Sequence, residues 1–381
     1  MTDTLRHPAP APRDTVSGWD FTVDPAQPRR HRLRTLDRHP LRDGEARLAT
    51  RLFALTANTM TYLAMGDDIG YWGFFPASDG SGRVPVWGFA DVVESRSAAL
   101  ATGQRLYGFL PMAAEFTMRP GRDGGAALED AMPHRQVLPP AYNWYQRPAL
   151  DPSAASGDEE AQAIFRPLFI ASFLLDDQIA EAGIGPETTV ILTSASSKTA
   201  CGLAWLLSGR PARPCVLGIT SPGNRDYTAG TGLYDRVTTY DAPDIAGRGD
   251  AVLVDFAGDG DLVRSIHARL GGRLVRSIRV GATHRERWST APLVTEGVQP
   301  SWFFAPDRIR LRSREWGAAA FNERLARAQT GFIRAMRSTV SVVRLAGPED
   351  LGEAWSALLA GAAPGGGAFV LGPLTPGQSV A

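Results

Sequence analysis

Lysine is almost missing from this sequence: Lys198 is the only one among 40 basic residues, and all the others are arginine. The arginine excess runs through every kind of segment and is a background of composition, so the exception is the informative position. Cysteine is scarce too. Cys201 and Cys215 lie in or beside apolar segments with no CxxC spacing, which leaves a disulfide framework or a zinc knuckle unsupported. The six histidines include no HExxH and none stands beside a cysteine, so no dedicated transition-metal site is expected. Net charge is absent, with 40 acidic residues against 40 basic ones. With no basic field to hold nucleic acid or an anionic membrane, the expected partner is a small molecule met by a local site. No run of about 18 apolar residues occurs. The opening MTDTLRHPAPAPRDTVSG lacks the apolar centre of a signal peptide, which predicts a cytoplasmic protein.

The 44% hydrophobic content of 381 residues suits packed cores, and two domains are the better expectation. Residues 1–30 read as a loose, proline-rich arm. Short β-like runs follow at 46–57, 84–95, 104–111 and 114–118, punctuated by Gly, Pro, Asp and Ser, and predict a small irregular β-rich domain. The glycine-rich 119–135 reads as an exposed loop, and 165–183 as a mostly buried helix. Then continuous apolar strands alternate with helices: TTVILTS, the helix ACGLAWLLSG, PCVLGITS, DRVTTYD, DAVLVDFAG, the helix DLVRSIHARL, and RLVRSIRVGATH. That order predicts an α/β, doubly wound parallel sheet covered on both faces. The tail, 340–374, reads as strand, loop, helix, glycine-rich turn and strand.

In such a sheet the first strand-to-helix turn aims backbone N–H groups at an anion. Here that turn is Ser194-Ala195-Ser196-Ser197-Lys198-Thr199. Lys198-Thr199 with the later AVLVDFAG suggests a triphosphate loop. The glycines such a loop needs are replaced by Leu192 and Ser197, whose side chains obstruct a phosphate wrap. A packed turn without a ligand is the plain alternative, because Ser and Thr are ordinary caps. The second strand ends at Thr220-Ser221, followed by Asn224-Arg225. It offers no carboxylate for a ribose 2′-hydroxyl, while hydroxyl, amide and guanidinium donors suit a 2′-phosphate, which points to NADPH. Lys198 could reach either the 2′-phosphate or the pyrophosphate.

Several segments, in order over roughly 30–375, resemble the medium-chain dehydrogenase/reductase superfamily and its zinc-free quinone and enoyl reductases. ARLATRLFALTANTMTYLAMG resembles the entry strand and active-site asparagine segment, and VPVWGFADVVES the strand after Pro-Gly-His-Glu. GQRLYGFLP resembles Gly-Asp-Arg-Val-x-Gly, and VILTSASSKTACGLAWLL the strand and glycine-rich turn. GLYDRVTTYD, LGGRLVRSIRVGATH and GGGAFVLGPL match later family segments, and LFIASFLLDD, SASSKT and VGATH mark a bacterial branch. Val86-Trp87 stands where the alcohol dehydrogenases carry a zinc-binding His-Glu pair, which disfavours zinc-dependent alcohol oxidation.

The resemblance implies a GroES-like substrate domain from 1–160 and 338–381, and a Rossmann dinucleotide-binding domain from 161–337. It places Tyr240 beside the adenosine phosphate. It brings the active-site segment with Asn58 and Tyr62 to a cleft shared with Ala257-Gly258 and with Gly281, Ala282, Thr283 and His284. Tyr62, His284 or water would donate a proton, and Tyr71, Trp72, Tyr142, Tyr145, Trp302 and Phe303 would line the place of an apolar or aromatic carbonyl substrate. The activity implied is an NADPH-dependent, zinc-free reduction of an activated C=C bond or quinone. The alternatives are a catalytically silent NADP(H)-binding or redox-sensing module, and a zinc-free NADP-dependent carbonyl or alcohol oxidoreductase. A homodimer paired through the edge of the nucleotide domain is also implied.

Overall fold

The computed structural model describes residues 18–151, 158–280 apart from 242, 246 and 248, 297–361 and 366–374. Its first element corrects the expected loose arm. WDFTV forms strand β1 (Trp19–Val23), antiparallel to β2 (His31–Thr35), with Trp19, Phe21 and Val23 buried. The polar residue between them, Asp20, is 1% exposed and is held by Arg34 at 3.0 Å and Arg83 at 2.8 Å. An apolar residue at every second position outweighs the polar composition around it.

The chain then builds an antiparallel sheet from β3 (Ala46–Leu55), helix α1 (Ala57–Ala64), β4 (Pro85–Ser95), β5 (Arg105–Pro111), β6 (Glu115–Met118), β7 (Pro120–Asp123), β8 (Ala127–Asp130) and β9 (Trp144–Gln146). The expected loop at 119–135 is corrected as well: β7 and β8 pair antiparallel, Leu128 is buried, and Arg122 meets Glu129 across the pair at 2.8 Å.

Helix α2 (Glu159–Glu181) leads into a second sheet: β10 (Thr189–Thr193), α3 (Lys198–Ser208), β11 (Cys215–Thr220), α4 (Arg225–Gly230), β12 (Arg236–Thr239), β13 (Ala251–Asp255), α5 (Gly260–Leu270), β14 (Leu274–Arg279) and β15 (Ser301–Trp302). All its pairings are parallel and its order is β12-β11-β10-β13-β14-β15, the doubly wound Rossmann arrangement. Helices α6 (Ala305–Trp316) and α7 (Ala318–Met336) follow. Then β16 (Val342–Leu345), α8 (Leu351–Leu359) and β17 (Ala368–Leu371) return the chain to the first sheet, whose order is β16-β17-β3-β4-β5-β9-β8-β7 with β6 on β3. The fold is therefore α/β, a Rossmann sheet beside a β-rich, GroES-like one.

One core joins the two sheets. Leu52, Ala54 and Phe89 of the antiparallel sheet pack with Phe165 and Phe169 of α2, with α3, and with Phe332 of α7. Phe169 stacks on Phe332 at 4.9 Å between centroids. Gly202 lets α3 approach α2, since a Cβ there would lie 2.5 Å from Ser172 Oγ. No helix among the described residues is long and apolar enough to cross a membrane.

Candidate functional site

Sheet order places a crevice where β10 and β13 send their connections to opposite sides, at the carboxyl ends of the strands. The turn leaving β10 lies at this crevice. Ser194 takes the left-handed conformation, with φ of 48°, and its N–H donates to the Tyr240 hydroxyl at 2.9 Å. Burial lifts that phenol to about 12, so it stays protonated. Ala195 is fully buried, and its carbonyl accepts from Tyr234 at 2.6 Å. Thr220, at the end of β11, donates to Ser196 Oγ at 3.3 Å, which brings two predicted turns together. Ser197 caps α3 by accepting from the Ala200 N–H. The first-turn N–H groups of Lys198 and Thr199 have no acceptor within the helix.

Lys198 does not extend over this turn. Its ammonium donates to the carbonyls of Gly366 at 3.1 Å and Gly367 at 2.8 Å, just before β17, and burial lowers its pKa to about 8. The expectation that it holds a phosphate is corrected for this structure, because the side chain runs into the junction between the sheets. Arg225 is exposed at the start of α4, and its one ion pair among the described residues is a 3.7 Å contact with Asp226. Ser221 and Asn224 are half-buried beside it.

At the end of β13, Asp255 is fully buried. Its Oδ1 accepts from Thr193 at 2.7 Å and from the N–H groups of Ala257 and Gly258, both at 3.1 Å. Among the described residues its Oδ2 has no hydrogen-bond partner, nor has the Nε of Arg279, the residue paired with it on β14. Burial raises the Asp255 pKa and lowers that of Arg279. Sequence reasoning missed this pair, although an aspartate ending an apolar strand was a visible signal.

The second half of the site lies on the antiparallel sheet. A capping box between Thr56 and Thr59 starts α1 immediately after β3 and orients Asn58 and Tyr62 one turn apart. The Tyr62 hydroxyl accepts from Asn58 Nδ2 at 2.6 Å and from Trp87 Nε1, on β4, at 2.7 Å. Its ring is 5% exposed and meets Tyr71 edge-on at 4.9 Å and Phe109 at 5.1 Å. Burial raises the phenol well above its ordinary 10.0, overriding the lowering by its two donors. Thr56, Asn58, Tyr62 and Trp87 form one wall of a small, narrow cleft, and Ile164 and Pro167 of α2 form the other. Five residues beyond Pro167, roughly 8 Å along the helix axis, Ser172 donates to the Thr199 carbonyl at 2.8 Å and so ties the cleft wall to the β10 turn.

The predicted lining residues divide. Tyr71 and Tyr142 stand behind Tyr62 with their hydroxyls 2.7 Å apart. Trp72 is wedged against Gly66 and Gly82. Tyr145 is corrected to a core residue: it is fully buried, and its hydroxyl donates to the Phe109 carbonyl, an inward position that its half-polar neighbours disguised. Trp302 and Phe303 are outside the cleft at Tyr62. Trp302 is exposed over the Arg279 guanidinium at 4.4 Å, and Phe303 is half-buried. Gly281, Ala282, Thr283 and His284 lie outside the described residues. Trp87 lines the cleft and donates to Tyr62, though the sequence showed it only as the occupant of a zinc-ligand position.

Among solved structures, CurA from Vibrio vulnificus in complex with NADPH is similar at 15% identity and TM-score 0.55, over 94% of this chain and 100% of that one. The JamJ enoyl reductase is similar at 13% and 0.56, over 93% and 99%. The yhdH oxidoreductase from Salmonella enterica in complex with NADP is similar at 15% and 0.51, over 93% and 99%. These likenesses show a shared fold. No curated protein sequence matches the chain. A family model described as "Protein of unknown function (DUF2855)" matches residues 53–364, and the chain belongs to that family.

Proposed function

We propose that this protein is an NADPH-dependent reductase acting on a C=C bond conjugated to a carbonyl, in an apolar substrate held at the Tyr62 cleft. The observation that carries the reading is the Tyr62 hydroxyl, which accepts two hydrogen bonds at the wall of the cleft. Similar structures solved in complex with NADPH or NADP support the choice of cofactor.

The residues present fit that cofactor. The uncapped N–H groups at the start of α3 suit a pyrophosphate, and Ser194 already takes the left-handed conformation that glycine usually supplies there. Arg225, with Thr220, Ser221 and Asn224, offers donors for a 2′-phosphate, and Tyr240 closes the turn. When bound, NADPH would supply a hydride. Tyr62 would donate a hydrogen bond to the substrate carbonyl oxygen as negative charge gathers there. Since burial holds the phenol far above neutrality, Tyr62 keeps its proton, and the proton that completes the reaction at carbon comes from water. In this reading 1–160 with 338–381 act as the substrate domain and 161–337 as the cofactor domain. The exposed edge at β15 is the surface for a homodimer.

Titrating the protein with NADPH and NADH while following nicotinamide fluorescence tests the proposal. Tight NADPH binding is expected, with oxidation by 2-cyclohexenone. Arg225→Ala should weaken NADPH roughly tenfold or more and leave NADH nearly unchanged. If neither nucleotide binds, the reading is wrong; binding without turnover on enones or quinones would favour a silent module.

A further inference from the structure

The Trp87 indole sits where the strand pairings leave it little freedom. Its residue is paired with Ala54 of β3 and Phe109 of β5, and its ring stacks on Tyr107 at 5.7 Å with 25° between planes. An indole N–H can only donate, as can the amide nitrogen of Asn58. At 2.7 and 2.6 Å these two donors fill the accepting side of the Tyr62 oxygen. Tyr62 therefore has one role left, to donate a hydrogen bond through its O–H. No described residue accepts that proton, and the Tyr142 hydroxyl on a neighbouring ring is itself paired with Tyr71 at 2.7 Å. The open direction is the cleft.

We infer that Trp87 and Asn58 are positioning residues that lock the Tyr62 hydroxyl as a donor-only group facing the cleft, so that the site selects a ligand oxygen able to accept, a carbonyl or an enolate, over one that presents a hydroxyl proton. The inference rests on reading the cleft as the substrate site. Two donors on one phenol oxygen also polarise its O–H, so losing either weakens the bond Tyr62 makes as well as freeing its rotation.

A chromophoric enal, 4-dimethylaminocinnamaldehyde, tests this without turnover, because its absorption moves to longer wavelength when its carbonyl oxygen accepts a hydrogen bond. The wild-type protein should shift the probe, and Tyr62→Phe should abolish the shift. Trp87→Phe and Asn58→Ala should each lose most of the shift while binding the probe within about threefold of wild type. Trp87→His, which restores an N–H donor, should recover part of it. With 2-cyclohexenone and NADPH, Trp87→Phe should lower kcat roughly tenfold and leave KM little changed. A full shift in Trp87→Phe overturns the positioning role and leaves Tyr62 as a donor. A wild-type protein that gives no shift overturns the reading of the cleft and the inference with it. If Trp87→Phe does not fold, Asn58→Ala decides: a full shift there overturns the lock.

Discussion

Lys198 spends its one positive charge inside the protein. Two backbone carbonyls receive its ammonium, and burial lowers its pKa from 10.5 to about 8. Below pH 8 the group is charged in the folded and the unfolded chain, so folding bears the full cost of burying the charge. Between about 8 and 10.5 the folded form is neutral and the unfolded form still binds a proton, so this group makes stability rise with pH across that window. The urea-unfolding free energy of the wild type, minus that of Lys198→Met, should therefore climb from pH 7.5 to pH 10.5 by at most ~3 kcal/mol. A difference that stays flat would mean the amine is not desolvated. The rarity of lysine was legible in the sequence, and its position at the start of α3 was too. The direction of a flexible side chain was not, because its acceptors come from residues 168 and 169 positions further along the chain.

At the scale of elements, periodicity carried most of the fold. Continuous apolar runs gave the strands of the parallel sheet within a few residues, apart from the two-residue β15, and the turn-bounded run VPVWGFADVVES gave β4. The helical pair α6 and α7 escaped notice although Phe321, Phe332, Ile333 and Met336 face the core, since eight arginines between 305 and 337 obscure the pattern. Arg312 shows why charge misleads: it is 7% exposed and pairs with Asp177 and Glu181 of α2. Within α2, Pro167 breaks the rule against proline in a helix interior at the one stretch that lines the cleft. Lacking an N–H, it cannot bond the carbonyl of Ala163, another lining residue. Pro167→Ala should therefore stabilise the protein by about 1–2 kcal/mol in urea denaturation and lower enone turnover, because the rejoined helix reshapes the cleft wall. A variant more stable and equally active would show that the proline has no part in the site.

On the scale of the whole molecule, the site depends on two sheets meeting at a fixed distance, and no local pattern in the sequence states how they meet. The order of the resembling motifs implied two sheets, while the contacts that join them come from segments far apart: β3 and β4 with α2, and the turn before β17 with α3 and α4. That turn is held from two directions. Lys198 binds its carbonyls, and Gly366, at φ of 62°, lies so close to Tyr227 that a Cβ would approach the ring to 1.9 Å. Gly366→Ala should push the turn off Tyr227 and with it move the carbonyls away from Lys198. The glycine and the lysine then belong to one contact, and their losses should not add. In a double-mutant cycle at pH 10, where the folded chain holds Lys198 neutral, Gly366→Ala and Lys198→Met should each destabilise by more than about 1 kcal/mol. The double variant should be little worse than the weaker of the two. NADPH affinity should fall in parallel, because the turn carrying Ser194–Thr199 and the wall carrying Tyr62 share this junction. Strictly additive losses, or lost stability with cofactor binding intact, would separate the junction from the site.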